Sequence, residues 1–446
     1  MNILIAGAGE VGGHTAEVLG ADGHNVVVID TSASKLRALE DRLDVRTLLG
    51  NCAHAEVLRQ AGAAKCDLLV AATHIDEINL LTASIAKGVG AKKCVARVHH
   101  GAYFSRQGLD YDTHLGIDEL ICPEYLTSLA IARVLRNPGA LAVEVFARGL
   151  IEVQDLPVED DAPAVGTALQ DLKLPPGVRL AQIRRGEEAI IPSATSVIKP
   201  GDIVTMVGEQ VTIEQGRQAF ARGQSKRKRV VIMGGSTLGV WLSRALRERQ
   251  FSVRLFEIER ERAEELSGKL DHVTVVQADP TDPDVLEEEQ IGTADAFIAV
   301  TGDDEHNILA GAQAKSLGVK TAIVVVQRAV YLHLLEHVGI DSAFSPRVVA
   351  VNEVRKLLDV GPVRCVATLA QGTADVYEIR PTRRATAIGK ELRNLELPAK
   401  CMIAAIQREE EVKVPGAEDT IGFGDTVLLI GPHEIEKDLR KLFANK

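Results

Sequence analysis

The chain has 446 residues, too many for one ordinary core, so two to four domains are expected. It is 46% apolar and 25% charged, the balance of a soluble globular protein, and a net charge of −11 with 3% aromatic residues argues against nucleic acid or anionic lipid as the main partner. No apolar run approaches the ~18–20 residues needed to span a bilayer. The N-terminus opens on a strand with no n-region or cleavage site, and the six scattered cysteines lack a C-x-x-C and read as buried reduced thiols. A cytosolic protein with no metal centre is expected.

In chain order, residues 2–6 form a continuous apolar strand, and a Gly-rich turn leads into a helix from about Val11 to Leu19. "NVVVID" is a second strand and "ASKLRALEDR" a second helix. "VRTLLG" and "DLLVAAT" are further strands, "DEINLLTASIAKGV" a helix and "KCVARV" a strand. Apolar strands alternating with helices imply a parallel sheet covered on both faces, a doubly wound fold. After "RNPGA" (Arg136 to Ala140) the pattern changes. "LAVEVFARGLIEV" and "VRLAQIRRGEEAIIP" read as short strands joined by tight turns, with Arg-Gly-Glu-Glu at a hairpin tip, and "VGTALQDLKL" reads as a helix.

The series then starts again. "ARGQSKRK" (Ala221 to Lys228) reads as a linker, and its basic run, Lys226 to Arg229, as a solvated strand lead-in. Gly7 and Gly234 lie 227 residues apart, as do Asp30 and Glu257; Asn79 and Asn307 are separated by 228. "GIDELICPE" answers to "GIDSAFSPR", and Gly201-Asp202 to Gly424-Asp425, both at 223 residues. A further boundary falls at "DVGPV" (Asp359 to Val363), and "IGKELRNLEL" is the second copy of the small-lobe helix. The fold class is therefore α/β: two tandem Rossmann-like doubly wound lobes, each followed by a small α+β lobe. The lobes span 1–136, 137–222, 226–358 and 359–446.

Gly7-Ala8-Gly9-Glu10-Val11-Gly12 has G-x-G-x-x-G spacing after a strand and before a helix, and Asp30 closes the next strand. Gly7 permits the tight turn, Gly9 lets backbone approach a pyrophosphate, and Gly12 lets helix pack on sheet. The helix N-terminus offers unpaired N–H groups to phosphates. Asp30 would accept from ribose hydroxyls and repel a 2′-phosphate, which favours NAD or NADH over NADP. The competing reading is a turn kept for packing. The second turn, Gly234-Gly235-Ser236-Thr237-Leu238-Gly239, keeps its acid as Glu257. It has Ser236 at the place of Gly9, where a side chain crowds the pyrophosphate but a hydroxyl could donate to it. Other candidate contacts lie at strand ends: Asn51, Cys52, Thr73, His74 and Arg97 in lobe one, and Asp279 and Thr301 in lobe two. Thr73 and Thr301 read equally as helix caps, and Arg97 either as a phosphate partner or as a surface arginine.

These motifs, together with "ATHIDEINLLTASIAK", "ARVHHGAY" and their second-half counterparts, resemble the TrkA family of Trk-system potassium-uptake regulators, built of RCK (or KTN) domains. The resemblance covers essentially the whole chain. It implies a cytoplasmic, non-enzymatic regulatory subunit, peripheral on the inner face of the membrane. It also implies a homo-oligomeric tetramer ring beneath a membrane-embedded potassium-translocating subunit of the TrkH type. Binding of NAD, NADH, ATP or ADP would control potassium flux. His99-His100 departs from the arginine the family often carries there, and Arg328 aligns with His100. The rival reading is an NAD-dependent dehydrogenase using the first lobe, with one of this histidine pair as acid or base. A third is an assembly protein with vestigial sites.

Overall fold

The computed structural model describes the chain except residues 104–108, 137–141, 147–150, 187, 221–226, 248–249, 336–337, 359–360, 370–373, 410, 433–434 and 445–446. The boundaries expected at 136–140, 221–228 and 359–363 fall largely outside the described residues.

The first lobe alternates strand and helix: β1 (Asn2–Ala6), α1 (Glu10–Ala21), β2 (Asn25–Asp30), α2 (Ala33–Glu40), β3 (Arg46–Leu49), α3 (Ala55–Ala61), β4 (Leu68–Ala71), α4 (Asp76–Val89), β5 (Lys93–Arg97), α5 (Tyr111–Leu115), β6 (Glu119–Ile121) and α6 (Pro123–Arg136). Its strands form one parallel sheet in the order β3-β2-β1-β4-β5-β6. That order reverses direction between β1 and β4, the place where such sheets bind ligands. β1 and β4 are apolar without alternation because helices cover both faces; Ile3, Ile5 and Val70 face one core, Leu4, Leu69 and Ala71 the other.

The first small lobe comprises β7 (Ala142–Phe146), β8 (Ile151–Pro157), β9 (Arg179–Arg185), β10 (Glu188–Ile190), β11 (Ile203–Glu209) and α7 (Gln210–Arg217). Its antiparallel sheet runs β10-β9-β11-β8-β7. The hairpin tip falls where Arg-Gly-Glu-Glu predicts it: Arg185 pairs with Glu188, and Gly186 takes φ 60°.

The second Rossmann lobe repeats the first: β12 (Lys228–Met233), α8 (Thr237–Ala245), β13 (Phe251–Glu257), α9 (Arg260–Lys269), β14 (Thr274–Gln277), α10 (Pro283–Glu288), β15 (Ala296–Ala299), α11 (Asp304–Ser316), β16 (Thr321–Val325), α12 (Leu332–Leu335), β17 (Ser342–Phe344) and α13 (Pro346–Leu358). Its sheet order is β14-β13-β12-β15-β16-β17, again parallel. The second small lobe holds β18 (Val363–Leu369), β19 (Ala374–Ile379), β20 (Met402–Arg408), β21 (Glu411–Lys413), β22 (Thr426–Gly431) and α14 (Glu436–Phe443), in the order β18-β19-β22-β20-β21. The two small sheets have the same topology.

Two expectations are corrected. "VGTALQDLKL" and "IGKELRNLEL" are not α-helices; each holds one 3-10 turn, Leu169–Asp171 and Leu392–Asn394. Their amides pair sideways instead of along a helix: Leu169 and Gln170 donate to the carbonyls of Ser196 and Ala194, and Leu392 and Arg393 to those of Asp419 and Ala417. Nor are all the cysteines buried: Cys52, Cys66, Cys94 and Cys122 are, but Cys401 is half-buried and Cys365 exposed. Desolvation pushes the Cys94 and Cys122 thiols up to about 12, which keeps them protonated and inert.

In space, like associates with like. One compact unit is Met1–Ala132 with Ser225–Leu358; the other is Arg133–Gln224 with Asp359–Lys446. Within the first, Ala350, Val354 and Leu358 of α13 enter the core beside Val11 and Leu19 of α1. Within the second, Ile151, Val153 and Val207 share an apolar cluster with Val376, Leu428 and Ile430.

Candidate functional site

The first turn is built on two glycines, Gly7 and Gly12, that leave no room for a side chain. Gly7 has φ 110°, and a Cβ there would lie 2.8 Å from the Ala72 carbonyl oxygen; one on Gly12 would lie 1.9 Å from the Gly7 carbonyl oxygen. The turn is therefore pressed between α1 and the end of β4. Gly9 is different: its φ is −76°, and its absent side chain would meet nothing within 4 Å. That open face is what a phosphate needs to reach backbone N–H groups.

The acids lock the turns. Asp30 Oδ2 accepts from the Ala8 N–H at 2.6 Å and Oδ1 from the Ser32 N–H at 2.8 Å. Glu257 does the same one repeat later, accepting from Gly235 at 2.8 Å and from Glu259 at 2.9 Å. A carboxylate has about four acceptor directions, so each acid keeps capacity for two ribose hydroxyls.

In the second lobe, Ser236 is the N-cap of α8. Its hydroxyl donates to the Val300 carbonyl at 2.8 Å and accepts from the Gly239 N–H at 3.2 Å. The hydroxyl is thus turned away from the role of phosphate donor that the sequence suggested. A cavity of about 830 Å³ remains beside it, walled by Gly234, Gly235, Ser236 and Thr237 with Glu257, Asp279 and Thr301, a volume in the ordinary range for small-molecule sites. Leu238 and Gly239 lie in α8, buried behind the turn.

The first lobe's turn opens on a cavity of about 790 Å³ that holds Ala8, Gly9 and Glu10; Val11 and Gly12 are buried in α1. Asp30 is joined to this cavity only through Ala8. Asn51, Thr73 and His74 are outside its walls. Asn51 accepts from the Ala53 N–H at 2.9 Å, and His74 is exposed. Cys52 is 6% exposed in the core, where its sulfur accepts from the Thr82 hydroxyl at 3.4 Å. Desolvation raises its pKa.

Arg97 is brought elsewhere too. Its Nη2 lies 2.5 Å from His99 Nε2 and 3.6 Å from Glu124, and His99 Nδ1 lies 3.0 Å from Asp76. Because a guanidinium only donates, His99 Nε2 must accept, so Nδ1 carries the hydrogen toward Asp76. Burial tends to raise the Asp76 pKa, but the N–H groups of His99 and His100 and the His99 ring outweigh it and hold the carboxyl below its usual range.

The roles of three further pairs emerge only from the structure. Lys35 lines the first cavity and Arg262 the second; both stand five residues past the acid, a spacing visible in the repeat. Arg262 donates to the Gly235 carbonyl at 2.9 Å. Asn79 and Asn307 are fully buried and tie the ends of adjacent strands. Asp76 and Asp304 cap the loops after β5 and β16 through backbone N–H groups.

The TrkA-N domain model matches residues 3–123 and 230–346, and the TrkA-C domain model residues 153–221 and 376–444. The Trk system potassium uptake protein TrkA homolog of Archaeoglobus fulgidus is 39% identical over 438 residues, 98% of this chain and 99% of that protein. TrkA of Halomonas elongata is 34% identical over 452 residues, 99% and 98% of the two chains. The crystal structure of the GsuK RCK domain matches with TM-score 0.62 at 19% identity, over 100% of this chain and 95% of that one. The GsuK channel bound to NAD matches with TM-score 0.63 at 19% identity, over 100% and 79%. Domain models that cover most of the sequence, and relatives alike over nearly full length, place this chain in the TrkA family of Trk-system potassium uptake proteins.

Proposed function

We infer that the chain is the nucleotide-sensing subunit that gates a Trk-type potassium uptake system. The observation that carries this reading is the doubled lock between acid and turn. In each lobe a carboxylate accepts from the glycine turn and keeps lone pairs for ribose, beside open space for phosphates. NAD or NADH is the expected ligand, with ATP or ADP as an alternative occupant. NAD-bound and ADP-bound GsuK share the fold. The proposed nucleotide contacts are the turn residues, Asp30 and Glu257, with Asp279 and Thr301 in the second lobe. Catalysis is not part of the reading; of the two histidines the rival dehydrogenase would draw on, His99 has both ring nitrogens engaged by Asp76 and Arg97.

The subunit would act as a cytoplasmic tetramer ring, held at the inner face of the membrane by a potassium-translocating partner. No described helix is long and apolar enough to cross a membrane. A nucleotide shifts such a ring only through different affinities for its two states. A tenfold difference at one site supplies about 1.4 kcal/mol, and moving an equilibrium from 1:99 to 99:1 takes about 5.5 kcal/mol. Four concerted sites supply that sum. The test is potassium flux in vesicles holding the reconstituted transporter and this chain, with NAD, NADH, ATP and ADP compared, alongside product analysis. Nucleotide-dependent flux without turnover supports the reading; steady NADH oxidation, or flux indifferent to every nucleotide, sinks it.

A further inference from the structure

The cavity at the first glycine turn is not walled by the first lobe alone. Arg328 and Arg347, from the second lobe, line it opposite Gly9 and Glu10. Arg347 is the second residue of α13, and its Nη1 lies 2.6 Å from the Glu10 carboxylate. An arginine is a poor choice at that position. The first turn of a helix is the positive end of its dipole and favours acids. The equivalent residue of the first lobe, Glu124 in α6, follows the rule, so the repeat reverses charge at this helix start.

The partner is also weak. Arg347 is 19% exposed and Glu10 74%. A largely buried guanidinium is therefore held by one carboxylate that sits in water, where ion pairs contribute little. Glu10 is its one ionic partner among the described residues. Around it the cavity carries Lys35, Arg42 and Arg328 beside Glu10 and Glu17; Arg42 pairs with Glu17, and Arg328 with Asp304 and Glu305. Arg347 and Lys35 therefore stand as the cations nearest the N–H groups that open α1.

We propose that Arg347 is a phosphate-binding residue of the first lobe's nucleotide site, supplied by the second lobe, and that Glu10 competes with the ligand's phosphates for its guanidinium. The inference rests on the nucleotide-sensing reading and specifies its ligand: a nucleotide with two or more phosphates, whose clustered charge outcompetes a single exposed carboxylate. Since α13 packs on α1, a ligand held this way is bound by both Rossmann lobes together.

The test is calorimetric titration of adenosine, AMP, ADP and ATP into the intact wild type, Arg347→Gln and Glu10→Gln, with hydrogen exchange over residues 7–13 locating binding in the first lobe. Arg347→Gln is expected to weaken ADP and ATP there about tenfold, one charge-assisted contact, with adenosine changed less than about twofold. Glu10→Gln is expected to tighten ADP and ATP. A uniform loss across the series, adenosine included, would mean a merely structural role and overturn the inference. So would unchanged ADP and ATP affinity in Arg347→Gln, which leaves the nucleotide reading standing, or weaker ADP and ATP binding in Glu10→Gln. Absence of wild-type protection at residues 7–13 with every nucleotide would overturn both.

Discussion

Asn79 grips Thr73 with every polar atom it has. Its Oδ1 accepts the Thr73 N–H at 2.8 Å and the Thr73 hydroxyl at 2.7 Å, and its Nδ2 returns to the Thr73 carbonyl at 3.0 Å while also reaching the Arg97 carbonyl at 2.9 Å. Asn307 repeats the pattern on Thr301 and Val325. Asn79→Ala strands buried partners and is expected to cost about 2–4 kcal/mol, read as a lower urea midpoint. A change below about 0.5 kcal/mol, the scale of an ordinary surface substitution, would show that the strand ends hold without it.

Asp30 shapes the turn, and in the proposed reading its remaining acceptors serve the ribose. Asp30→Ala removes the partner of the Ala8 N–H and is expected to weaken NAD at the first lobe by about tenfold or more. It should also narrow the gap between NAD and NADP, because the charge that repels a 2′-phosphate is gone. Competition binding with both dinucleotides checks this; an unchanged NAD-to-NADP ratio contradicts it.

Gly9 and Gly12 should fail in different ways. A methyl on Gly9 meets open space, whereas one on Gly12 collides with the Gly7 carbonyl oxygen at 1.9 Å. Gly9→Ala is expected to fold with a loss of roughly 1 kcal/mol or less, the cost of alanine at an N-cap, yet to bind nucleotide poorly. Gly12→Ala should destabilise by several kcal/mol, on the order of other overpacked cores. Melting and binding measured on the same preparations separate the two; a Gly9→Ala chain that binds normally would show that pyrophosphate does not approach there.

The small lobes carry a matched pair of buried carboxylates. Arg185 clamps Asp202 through two contacts of 2.8 Å, and Arg408 clamps Asp425 at 2.9 and 2.8 Å. Burial tends to raise both acids, but the arginines and the N–H groups of Lys199 and Gly422 outweigh it and leave them below their ordinary value of 3.8. A depressed native value stabilises the fold above 3.8, and that contribution is lost as pH falls below it. Acid titration of the Asp202→Asn, Asp425→Asn double variant should show lower stability at neutral pH and a shallower fall below pH 4 on the scale of ordinary carboxylate titration. A fall as steep as the wild type's would assign the acid response to other groups.

Much of the site lies in short-range pattern. Gly7, Gly12 and Asp30 are legible because each answers a backbone demand within one strand–turn–helix, Gly9 is legible by motif spacing alone, and the second copy marks Gly234 and Glu257 by equal spacing. What was not legible depends on the third dimension. Arg97 ends a strand, as a phosphate ligand would, but Glu124 and His99 reach it first. The segments before Leu172 and Leu395 have helical periodicity, yet the loops after β10 and β21 offer their amides nearer carbonyls. The packing of α13 on α1 joins residues more than three hundred positions apart, beyond any local period.

The charge reversal between Glu124 and Arg347 has a consequence for symmetry. Were the two Rossmann lobes separate identical chains, both positions would carry the same residue, and each glycine turn would face the same neighbour. Duplication within a single chain removes that constraint. One turn faces Arg347, while the counterpart of that arginine is the acid Glu124. The covalent link holds two unequal glycine turns at a fixed one-to-one ratio, so a difference between them is built into every copy of the chain.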